Sequence, residues 1–78
     1  MPTVFRFGPY RFFFYAGDRS EPVHIHVERD EKVAKFWVLP SKLENSGGFN
    51  RAELAKIHKI VKENEKEIQE AWHDYFNS

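Results

Sequence analysis

Residues 23–28, Val-His-Ile-His-Val-Glu, alternate apolar and polar side chains without a fault, which demands a strand with one face on a core and one toward water. A second apolar run, 33–39, completes the constraint. If Asp30 and Glu31 form a hairpin tip, Val27 faces Ala34, Ile25 faces Phe36 and Val23 faces Val38, so every apolar residue meets an apolar partner. The same register sets His24 opposite Trp37 and His26 opposite Lys35. Upstream, 3–7 and 10–16 are rich in aromatic and β-branched residues, with the turn signal Gly8-Pro9 between them. A tip there pairs Phe7 with Tyr10, Phe5 with Phe12 and Thr3 with Phe14, and leaves Arg6 across from Arg11. The stretch Gly-Asp-Arg-Ser-Glu-Pro at 17–22 reads as a break between the second and third strands.

Beyond the loop expected at 40–49 the period changes. Asn50 followed by Glu53 has the spacing of a capping box, and Phe49 and Leu54 occupy the staple positions around it. Leu54, Ile57, Val61, Ile68, Ala71 and Tyr75 then recur at helical spacing, with Asn64 as the polar interruption. A helix over 51–76 would be roughly 39 Å long, whereas a seven-residue strand spans about 23 Å. A straight helix must therefore overhang the sheet. Its last turns carry Ile68, Trp72, Tyr75 and Phe76, which would need either a bend near Asn64 or a partner. Basic residues crowd its first half and acidic ones its second, so an antiparallel copy would match charge, and a homodimer through this helix is an expectation.

The expected architecture is α+β: a four-stranded antiparallel β-meander over 3–39 with one long C-terminal α-helix packed on one face. Seventy-eight residues hold a single domain, 1–78. With no cysteine, disulfides, thiolate zinc sites, iron–sulfur clusters and thiol chemistry are excluded. Twelve Lys and Arg against twelve Asp and Glu give a net charge of +0, which excludes a chain-wide basic field for nonspecific nucleic-acid binding. No apolar stretch approaches the length of about 20 residues that spans a membrane. A cytoplasmic protein without membrane association or cofactor is expected.

The face opposite the helix should display Arg6, Arg11, Phe13, Tyr15, His24, His26, Glu28, Lys35 and Trp37. Flat rings among cations suit a partner protein or single-stranded RNA, so Arg6, Arg11, Phe13, Tyr15, His24, His26, Lys35 and Trp37 are the expected binding residues. His24 and His26 project from one face with Cα atoms about 6.6 Å apart. They could share a metal with Glu28, but the face offers no obvious further ligand and the expectation is no metal. Metal-independent RNA cleavage would draw on His24, His26, Tyr15 and Arg11, with Arg6 and Lys35 as further cations, but no spacing here is diagnostic of catalysis. A non-enzymatic role is expected.

The opening Met-Pro-Thr-Val-Phe-Arg-Phe-Gly, Glu21-Pro22-Val23-His24-Ile25-His26-Val27, Ala34-Lys35-Phe36-Trp37, Gly48-Phe49-Asn50 and Glu70-Ala71-Trp72-His73-Asp74-Tyr75-Phe76 together resemble the small bacterial family named domain of unknown function 4160. The resemblance covers essentially the whole chain. Val23 stands where the family pattern has a second proline before the first histidine, which makes a strained turn beside His24 unnecessary. The family has no assigned activity. The resemblance implies a gene neighbour encoding a second small protein and membership of a toxin–antitoxin-like pair, with His24, His26, Lys35 and Trp37 as the signature surface. The expected function is thus a small interaction module that binds this partner through the aromatic/basic sheet face or the helix overhang; the alternative is the RNA-cleaving toxin.

Overall fold

The computed structural model describes residues 3–38 and 40–77. Among them five antiparallel strands lie side by side in chain order: β1 (Thr3–Phe7), β2 (Tyr10–Phe13), β3 (His24–Arg29), β4 (Lys32–Val38) and β5 (Ser41–Asn45). A one-turn 3-10 helix, Ala16–Ser20, links β2 to β3, and two helices follow the sheet, α1 (Arg51–Glu63) and α2 (Glu65–Asn77). The expectation of an α+β chain with an antiparallel sheet holds. Its details change: five strands replace four, and two helices replace one.

The central register is the one the alternation dictates. Val27 pairs with Ala34, Ile25 with Phe36, His24 with Trp37 and His26 with Lys35. Asp30 at the tip takes φ 56°, a left-handed conformation that a short polar side chain tolerates. In the first hairpin Phe7 pairs with Tyr10, Arg6 with Arg11 and Phe5 with Phe12, but an irregularity between Thr3 and Phe5 sets Thr3 against Phe13 in place of Phe14. Leu39, expected to close the fourth strand, lies outside the described residues.

The stretch expected as a loop over 40–49 begins with β5, which pairs Val38 with Ser41 and Trp37 with Lys42. Its sequence, Ser-Lys-Leu-Glu-Asn, has one apolar residue and little strand propensity. Such composition suits an outer strand, where charged side chains discourage further pairing.

The helical half starts where the sequence sets it, with Asn50 Oδ1 accepting from Glu53 N at 2.9 Å. Glu53 does not complete the box, because its carboxylate is taken by Arg29 and Tyr10. Asn64 breaks the helix. Its side chain donates to Ile60 O at 2.8 Å, its own amide bonds Val61 O, and its carbonyl accepts from Ile68 N to start α2. The break removes the expected overhang: Ile68, Trp72 and Phe76 are buried against this chain's own core, and of the four residues expected at an oligomer contact Tyr75 alone is exposed. Phe12, Phe14, Ile25, Val27, Ala34, Phe36 and Val38 form the sheet's side of that core, and Ile57, Ile60 and Val61 join from α1.

Candidate functional site

The second face of the sheet is not the wet platform that alternation suggests. His24 is 0% exposed, His26 9% and Phe13 1%. Two neighbours cover them. From α2, Trp72 reaches the end of the sheet, its ring 5.1 Å from His24 and 5.1 Å from Phe14. From the other side the 3-10 helix lays Asp18 over the imidazoles.

Asp18 is held by the turn it sits in. Its amide bonds Tyr15 O, its carbonyl accepts from Glu21 N, and its Oδ2 accepts from Tyr15 N at 2.9 Å. The same oxygen lies 3.1 Å from His26 Nε2 and 3.1 Å from His24 Nε2. One carboxylate oxygen therefore meets two imidazole nitrogens. The His26 approach is a hydrogen bond, whereas the His24 approach is too oblique for one and leaves His24 Nε2 buried without a partner. The opposite ring nitrogen is satisfied, since His24 Nδ1 donates to Pro22 O at 2.9 Å. That bond places a proton on Nδ1 and, in the neutral ring, leaves the lone pair on Nε2. Burial pushes the His26 imidazole below its ordinary value, against the pull of Asp18, with His24 and Lys35 adding to the push.

Rings wall the cluster. Phe13 stacks on His26 at 5.5 Å, Tyr15 meets it edge-on at 4.5 Å, and Trp37 lies 5.6 Å from His24. Tyr15 is partly exposed and forms the outer lip.

The remaining sites expected on this face are mostly engaged in pairs. Glu28, the residue that could have joined the two histidines on a metal although none was expected, is bound to Arg11 at 2.9 Å, and Arg11 also donates to Thr3 Oγ1 and lies over Phe13. Lys35 reaches Glu21 at 2.6 Å and holds that carboxyl below its usual range; Trp37 Nε1 donates to Glu44 at 2.7 Å. Arg6 is exposed and lines a polar groove of about 460 Å³ with Arg11, Glu28 and Arg29. The structure thus brings His24, His26 and Tyr15 together, whereas Arg6 on β1 pairs with Arg11 on β2 and Arg11 meets the cluster only through the Phe13 ring.

Sequence reasoning missed Asp18. The third ligand-type group comes from the aperiodic Gly-Asp-Arg-Ser stretch and not from a strand. Its signal was the spacing from Tyr15 to Asp18, which suits a side chain folding back on its own turn. Asp18, His24 and His26 are the group of ligand atoms among the described residues that fall within 4.8 Å of one another.

A five-stranded sheet with two helices over one face and a His–Asp cluster under a turn on the other defines a small α+β domain. The chain belongs to the family described as Domain of unknown function (DUF4160), whose profile matches residues 10–73. The matched span includes all three cluster residues. No curated protein and no solved structure gives a significant match to the chain. No helix among the described residues is long and apolar enough to cross a membrane.

Proposed function

We propose that the protein is a non-enzymatic binding component of a two-protein module of the toxin–antitoxin-like kind, and that it takes its partner, the small protein of the neighbouring gene, along β1. The supporting observation is Phe7, which is 55% exposed at the end of an outer strand whose Val4 and Phe5 are only half-buried. The opposite edge is better guarded, because β5 places Lys42 and Glu44 beside its exposed Leu43. An outer strand that ends in an exposed aromatic side chain suits a partner that adds a strand, where main-chain hydrogen bonds give affinity and apolar contacts give register. The RNA-cleaving alternative has less support: His24 is sealed from solvent and its Nδ1 is committed to Pro22 O.

Co-expression with the product of the adjacent gene and affinity purification tests this reading. The wild-type chain is expected to retain that product, and Phe7→Asp, at a side chain that is 55% exposed, is expected to lose it. Failure of the wild type to co-purify it, or retention unchanged by Phe7→Asp, would overturn the proposal.

A further inference from the structure

We propose that Asp18, His24 and His26 form a site for one divalent transition-metal ion of the zinc class. Imidazole and carboxylate are the ligands such ions take, and two histidines with one carboxylate make a site that keeps an open position.

Geometry supports it first. Around an ion with bonds of about 2.0–2.1 Å, tetrahedral ligand atoms stand about 3.3 Å apart. The two His-to-Asp separations are each 3.1 Å, and all three ligand atoms lie within 4.8 Å. To close on one ion, the two histidine nitrogens, which lie within 4.8 Å of one another, draw toward the tetrahedral spacing about the shared Asp18 oxygen.

The second, independent observation is the orphaned His24 Nε2. A buried nitrogen lone pair facing a carboxylate oxygen is repulsive, and a buried polar group left without a partner is unfavourable. A proton on Nε2 would make an ion pair with Asp18 but no aligned hydrogen bond. A metal ion relieves the repulsion from off the N···O line, between the His24 lone pair, the Asp18 oxygen and His26 Nε2, which gives up the proton it donates to Asp18 in order to ligate. The outer contacts are those of a ligating histidine: Nδ1–H donates to the Pro22 carbonyl, which fixes the tautomer and aims Nε2 inward. Tyr15 N–H likewise anchors the Asp18 oxygen.

The other histidines stand apart. His58 Nε2 is engaged with Ser41 O on the β5 side, and His73 is exposed on α2 beside Asn77. With three protein ligands the ion would retain one position, on the side where Asp18, His26 and Tyr15 approach the surface. That opening suits water or an oxygen ligand.

Isothermal titration of the metal-stripped full chain with Zn²⁺, and with Co²⁺ for its visible absorption, tests the site. One equivalent is expected to bind saturably, and Asp18→Asn and His26→Gln are each expected to weaken binding at least about tenfold while circular dichroism shows the sheet and helices intact. Absence of saturable binding to the wild type, or unchanged affinity in either folded variant, overturns the proposal. Should both variants unfold, ¹⁵N shifts of His24 and His26 Nε2 in the wild-type chain decide it: both move with the first equivalent of Zn²⁺ if the site is real, and stay if it is not. Partner capture through Phe7 is independent of this outcome.

Discussion

Gly47 stands where the chain leaves β5 for α1, at φ +61°, and a Cβ there would run into the Val33 carbonyl. Gly47→Ala meets both a left-handed backbone and a blocked one, so it should cost more than about 2 kcal/mol, read from the urea midpoint. Glu53 makes a different point about single residues. Hydrogen bonds from Arg29 hold its carboxyl below the ordinary 4.5, with Tyr10 assisting. The native value is depressed, so this contribution is complete above pH 4.5 and is lost as pH falls through the native value. Glu53→Gln is therefore expected to lose less of its stability than the wild type between about pH 6 and about pH 3, measured by thermal unfolding. Alternation alone made the pairing of His24 with Trp37 legible. The burial of His24 was not, because alternation reads every polar side chain as wet while the cover comes from Trp72, far along the chain, and from Asp18 in the aperiodic turn before β3.

Among the elements, the central hairpin and the helix start were legible because each rests on a strict local rule, period two in one case and an asparagine cap in the other. β5 escaped because an outer strand needs no apolar face; it pairs with β4 from Val38 and Ser41 to Lys35 and Asn45. The helix break was anticipated only as one of two outcomes. Length arithmetic required the last turns to fold back or to find a partner, and Asn64 resolves the choice by bonding Ile60 and opening a second helix. Trp72 then belongs to the monomer's core. Trp72→Ala is expected to destabilise the isolated chain by about 3–5 kcal/mol, with an unfolding midpoint independent of protein concentration. A small loss, or a midpoint that rises with concentration, would return Trp72 to an interface between copies.

Over the whole molecule, the chain closes its sheet on both sides. Helices cover one face, and a single turn with its aspartate covers part of the other. Aromatic residues that the composition offered as surplus are spent on this second layer, with Phe13 and Trp72 enclosing the histidines. The zero net charge is realised as local pairs, Arg11 with Glu28, Lys35 with Glu21 and Arg29 with Glu53. What remains unspent is the β1 edge and one buried nitrogen. The central claim is that Asp18, His24 and His26 form one enclosed centre in which His24 Nε2 carries a free lone pair. Long-range ¹H–¹⁵N correlation of the metal-free protein at neutral pH tests it most directly. His24 is expected as the Nδ1–H tautomer with an unprotonated Nε2; a proton on Nε2, or averaged solvent-like imidazole shifts for His24 and His26, would contradict this.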